Sequence, residues 1–127
     1  MMKKGLAAVI GAISAANGLL MLIAGQEWFS STPGVADTGP YNPHFVADVG
    51  AAYLIAGLAL LARALRPQWW PAAVAGALFF VAHALIHVAG ILGGHSHHAA
   101  FETALVILPA ALSLFAAFPS AREKRHA

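Results

Sequence analysis

The chain reads as an all-α integral membrane protein: a four-helix bundle with both termini on the cytoplasmic side. Three observations lead there. Of its 127 residues 60% are hydrophobic and only 9% are charged, at a mean hydropathy of +0.74, whereas a water-facing domain carries roughly 25% charged residues. Four apolar runs, near 5–25, 44–62, 71–93 and 99–118, each reach or approach the ~20 residues that a helix needs to cross the hydrocarbon. Finally, every Lys and Arg falls in one of three places: Lys3 and Lys4 before the first run, Arg63 and Arg66 between the second and third, and Arg122, Lys124 and Arg125 after the fourth. With four crossings those places share one face, and the bias of basic residues toward the cytoplasm makes it the inner one. Residues 1–127 form a single membrane domain.

The two outer loops, 26–43 and 94–98, carry no Lys or Arg, while Glu27, Asp37, Asp48 and Glu102 lie in or beside them. The net charge of +2 and isoelectric point near 9.4 therefore have a topological explanation, and nucleic acid is not an expected partner; the lipid bilayer is. Cysteine is absent, which excludes disulfides, thiolate metal sites and iron–sulfur clusters.

Met1-Met2-Lys3-Lys4 followed by apolar residues resembles a signal peptide, with Ser14-Ala15-Ala16 as a small-residue cleavage site. The apolar run continues through Ile23, longer than a signal core, and predicts an uncleaved first span. Ala7, Gly11 and Ala15 recur every fourth residue with Gly18 beyond, a spacing that lets helix backbones approach in lipid and favours self-association. Asn17, polar near mid-membrane, is expected to hydrogen-bond a neighbouring helix. After Trp28 and Phe29 at the interface, the Pro- and Gly-rich stretch to Pro43 predicts an irregular outer loop, long enough to act as a lid or binding loop.

The second span opens with an N-cap at Asn42 and Pro43 in the first turn. His44 and Asp48 follow on one helical face. Arg66-Pro67-Gln68-Trp69-Trp70-Pro71 makes a tight inner turn with an aromatic belt. In the third span His83 lies about 18 Å from the inner end and His87 about 6 Å further out. The fourth span has Glu102 in its first turn and Pro109 near its centre, where a kink is expected. The tail from Ser120 to Ala127 is polar and expected to fray.

Ordered by depth, His44, Asp48, His87 and Glu102 form one layer in the outer leaflet, with His83 below and Glu27 above. Ionisable residues inside spans are functional candidates. Three imidazoles with two or three carboxylates are a ligand set for zinc, iron, manganese or copper(II). The expectation is a transition-metal site near the periplasmic face with His44, Asp48, His87 and Glu102 as ligands and His83 as a ligand or an orienter. An open coordination position would allow redox or Lewis-acid chemistry on a small or lipid-soluble substrate. The competing reading is a haem- or quinone-associated accessory subunit of a membrane oxidoreductase complex, with haem b ligated by His83 or His87 and the second ligand supplied by a dimer partner.

Plainer readings exist for each residue. His44 can snorkel to water, and His83 and His87 can hydrogen-bond Asp48 and Glu102 without any metal. His95, His97 and His98 can be solvated loop residues. Two functions are disfavoured. The inner half offers little beyond Ser14, Asn17 and Ser113 for a relay across the membrane, and Met1, Met2 and Met21 make no thioether cluster for copper(I).

The pattern from Gly11 to Gly25, followed by Trp28-Phe29 and Pro33-Gly34, together with the four-span layout, resembles small bacterial DoxX-like membrane proteins. That resemblance implies a multi-pass protein of the bacterial inner membrane, within a group that includes associates of membrane oxidoreductases and quinones. It assigns no site residue.

Overall fold

Asn42 starts the second span as its position predicts: its side-chain oxygen accepts from the Phe45 N–H at 3.1 Å, with Pro43 in the first turn. In a computed structural model, which describes residues 1–120 and Glu123, the elements are α1 (Met2–Ile23), α2 (Gly25–Ser31), α3 (Pro43–Leu65), α4 (Trp70–Leu92), α5 (Ala99–Glu102) and α6 (Leu108–Ala117). A π-helical turn, Thr103–Ile107, joins the last two into one rod. Four stretches are long and apolar enough to cross a membrane: Met2–Ile23, Pro43–Leu65, Pro67–Leu92 and Ala99–Ala117. All lie within a few residues of the predicted runs.

α1 packs on α3, α3 on α4, α4 on α6 and α6 on α1, a closed ring of antiparallel neighbours. The α1–α3 seam is the tightest because glycines face each other across it. A β-carbon on Gly18 would sit 2.5 Å from the Gly50 carbonyl oxygen, and one on Gly57 2.7 Å from the Gly11 carbonyl oxygen. Backbone approach of this kind replaces the hydrophobic drive that helices lack in lipid. Large apolar side chains such as Ile13, Ile55, Leu78, Ile86 and Leu108 remain exposed on the outside of the ring, the surface that acyl chains require.

Burial is uneven along the axis. Toward the inner end the core holds Ala7, Ile10, Leu60, Ala73, Ala77, Ala116 and Ala117. Toward the outer end, α4 buries nothing beyond Ala84 and the fourth rod nothing before Ala110.

Three local features differ from expectation. The outer loop is partly regular: α2 and a 3₁₀ turn, Ala36–Thr38, occupy it. The hydroxyls of Ser30, Ser31 and Thr32 donate back to carbonyls one turn earlier and hold α2 closed. The kink expected at Pro109 takes the form of the π turn just before it, where the Leu108 N–H donates to the Thr103 carbonyl. Proline cannot donate and crowds the carbonyl four residues back, and widening the preceding turn accommodates both defects.

The third difference is Arg63, whose charge the topology rule explains but whose burial it does not. Its side chain is 0% exposed. Nε donates to the Ala117 carbonyl at 3.3 Å and Nη2 to the Phe118 carbonyl at 3.4 Å, so it caps the C-terminal carbonyls of α6. The same guanidinium grips Glu123 with two parallel bonds of 3.1 and 3.0 Å. Lys3 Nζ reaches the Phe118 carbonyl at 3.2 Å and lies 4.4 Å from the centroid of the Phe115 ring. Glu123 and Ser120 bond reciprocally through side chain and backbone N–H, as in a capping box. The Arg63 guanidinium, assisted by the Ser120 backbone and hydroxyl against the opposing effect of burial, holds the Glu123 carboxyl down to about 2. The expected fraying of the tail otherwise concerns residues 121–122 and 124–127, which lie outside the described residues.

Candidate functional site

Glu102 rides the first turn of the fourth rod and faces the outer end of α4, where His87 meets it with Nδ1 2.9 Å from Oε2. The His87 side chain is 29% exposed and that of Glu102 15%. Ser96, in the loop between the two helices, donates its hydroxyl to the other carboxylate oxygen at 2.5 Å. The loop is set by two further bonds: the His98 N–H donates to Ser96 Oγ at 3.2 Å, and the Glu102 N–H to the His98 carbonyl at 3.0 Å. His98 Nε2 lies 3.4 Å from Asp37 of the first outer loop. A hydrogen-bonded chain thus runs from the outer surface through Ser96 and Glu102 to His87. With Glu102 ionised, His87 donates to it through Nδ1.

One turn below, the ring of His83 continues this line by contact rather than by hydrogen bonds. Its centroid is 4.8 Å from that of His87 at 66°, 5.6 Å from that of Tyr53 at 84°, and 6.2 Å from that of Phe79 at 21°. Tyr53 comes from α3 on the helical phase of Val46, Gly50, Gly57 and Leu60, and so points toward the ring's interior. Among the described residues no side chain or backbone group hydrogen-bonds the Tyr53 hydroxyl or either His83 nitrogen. No buried side-chain nitrogen or oxygen lacks a partner among them. The free polar atoms of Tyr53 and His83 are therefore reachable from outside rather than sealed in the core.

The expected metal layer is not assembled. Among the described residues there is no group of three or more His, Cys, Asp or Glu side chains placed to hold an ion. His44 and Asp48 do pair with each other, at 3.4 Å, but their side chains are 87% and 65% exposed. The reason is azimuth. The buried positions of α3 recur as 46, 50, 57 and 60, and 48 falls halfway between 46 and 50, on the opposite side of the helix. Matching depth along the axis does not bring Asp48 to His87. The plainer expectation for His87 and Glu102, a direct bond, is what the structure shows.

Other predicted residues are placed as follows. Asn17 accepts from the Trp28 indole N–H at 2.9 Å and so fastens α2 to the outer half of α1. Glu27 is exposed on α2. His95 and His97 are exposed in the second outer loop, whereas His98 packs its ring over Gly34, whose φ of +81 favours glycine. Tyr53 and Ser96 belong to the site and are absent from the predicted ligand set. Tyr53 carried a signal, since it is the one aromatic hydroxyl on the buried phase of its span. No family model, curated protein or solved structure matches this chain.

Proposed function

We propose that this is a multi-pass protein that binds a lipophilic molecule bearing a hydroxyl or carbonyl head in the outer half of its bundle. The free polar atoms of Tyr53 and His83 carry the reading. They sit inside stretches apolar enough to cross a membrane, where an unmatched donor or acceptor is unfavourable by roughly 1–3 kcal/mol in protein data, and they remain reachable. A head group that accepts from Tyr53 and bonds an imidazole satisfies them. The partly exposed ring of Phe79, in contact with Tyr53, suits its flat or apolar body. His87, oriented by Glu102 and Ser96, completes the hydrogen-bonding wall.

The reading includes orientation and location. Lys3 and Arg63 meet at one end of the bundle, and the positive-inside rule makes that end cytoplasmic with both termini inside. The resemblance to DoxX-like proteins supports the inner membrane of a bacterium. Binding, rather than conduction, fits the inner half, whose polar groups are few.

Protein purified in mild detergent and extracted with organic solvent is expected to release one lipophilic species near 1:1 stoichiometry by mass spectrometry. Tyr53→Phe and His83→Leu are expected to lose it while keeping the wild-type helical circular dichroism. An extract holding only bulk membrane phospholipid, the same for wild type and both variants, would overturn the reading.

A further inference from the structure

The strap between α2 and α3, residues 32–42, reaches across the outer mouth of the bundle to His98, and we propose that it is a lid over the Tyr53–His83 site with His98 as its latch. The purpose of such a lid rests on the binding function proposed above; its geometry does not. α2 lies on α1 and α3, so the strap begins on one side of the ring. His98 belongs to the loop between α4 and the fourth rod, on the other side. Its ring comes within 3.1 Å of where a β-carbon on Gly34 would sit, and its Nε2 is 3.4 Å from Asp37. The mouth beneath is loosely filled: α4 buries nothing beyond Ala84 and the fourth rod nothing before Ala110.

The strap can swing as a unit. No residue from Thr32 to Asn42 is buried, yet its 3₁₀ turn is closed on itself. Thr38 Oγ1 donates to the Val35 carbonyl at 2.6 Å, and the Val35 N–H donates to the Thr32 carbonyl at 3.2 Å. Gly34 and Gly39 flank that turn at φ of +81 and +135, backbone that pivots where other residues cannot. Among the described residues no other side-chain hydrogen bond or ion pair ties the first outer loop to the second. With His98 40% and Asp37 65% exposed, the one tie is weak enough to open. It is also connected to the site. The His98 N–H donates to Ser96 Oγ, the His98 carbonyl accepts from the Glu102 N–H, and Ser96 and His87 share the Glu102 carboxylate. Closing the strap and orienting His87 therefore go together.

The chain has no cysteine, so Ala84→Cys, on the buried side of α4, gives a single thiol at the depth of the site. Its modification by a charged, membrane-impermeant methanethiosulfonate in lipid nanodiscs reads access from outer water. Deuterium exchange of residues 32–42 in the same protein reads strap opening. In the Ala84→Cys background His98→Ala is expected to raise both rates about tenfold, with exchange in α1 and α3 unchanged. Asp37→Ala should raise them about threefold, less because the His98 ring stays on Gly34. Neither rate requires a bound molecule, so the extraction experiment above can fail while this one succeeds. Faster strap exchange with labelling still at the wild-type rate would overturn the lid. Strap exchange unchanged in both variants would overturn the latch.

Discussion

The two ends of the bundle hold polar groups in opposite ways. At the inner end, Arg63 spends its guanidinium on two helix-terminal carbonyls and a carboxylate, Lys3 joins it on Phe118, and Ser120 caps the arrangement. These donors of Arg63, Lys3 and Ser120 all meet protein acceptors, and small side chains fill the space around them. At the outer end the chain of bonds through Ser96, Glu102 and His87 runs out at His83 and Tyr53, whose polar atoms are left open. Saturated polar groups stabilise a structure; unsaturated ones that remain reachable are available to a ligand. The contrast separates the region that holds the fold from the one whose polar atoms remain open.

It can be broken by substitutions ranked by their effect on stability. Arg63→Ala is expected to do most damage, about 3–5 kcal/mol, because it strands the α6 carbonyls and the Glu123 carboxylate together. A thermal melt in detergent checks it, and an unchanged Tm would remove the inner end from its structural role. Glu123→Gln is milder, about 1–2 kcal/mol at neutral pH, since the amide oxygen still accepts one bond from Arg63 while the second bond and the charge are lost. Its pH dependence sharpens the test. The folded carboxyl sits at about 2 against an ordinary 4.5, so its stabilisation is complete above about 4.5 and is lost as the pH falls through about 2. The gap in Tm between wild type and Glu123→Gln should therefore be constant from pH 7 to 5 and close toward pH 2. Tyr53→Phe should change the melt least, by less than about 0.5 kcal/mol, because the hydroxyl it removes has no partner to lose. A large destabilisation would mean that Tyr53 belongs to the structural class after all.

Much of this was legible along the helix axis. Apolar run length placed four spans within a few residues of their ends, Asn42 and Pro43 announced the start of α3, and the spacing of Gly11 and Gly18 marked a face that a neighbouring backbone can approach. The bond between His87 and Glu102 follows from their shared depth on consecutive antiparallel spans. The false metal site came from the same reasoning applied without azimuth: Asp48 has the right depth and the wrong side. The phase of Gly50 and Gly57, both on the buried side of α3, was the signal that could have excluded it. Arg63 was hidden for another reason. Its charge already had a topological explanation, although Ser120 and Glu123, three residues apart, carry the capping-box spelling that marks an ordered partner for it.

Composition and periodicity by themselves determined that this chain is helical, how many spans it has, and how deep each polar residue lies, because a helix translates sequence position into height at a fixed rise per residue. Which of those residues face one another was decided only by the tertiary structure. The rotation of each helix is set by where its glycines and alanines let a neighbour's backbone approach, and a single residue of offset turns a side chain by about 100°. That rotation put Tyr53 inside with His83, sent Asp48 outward, and closed Arg63 over the end of α6.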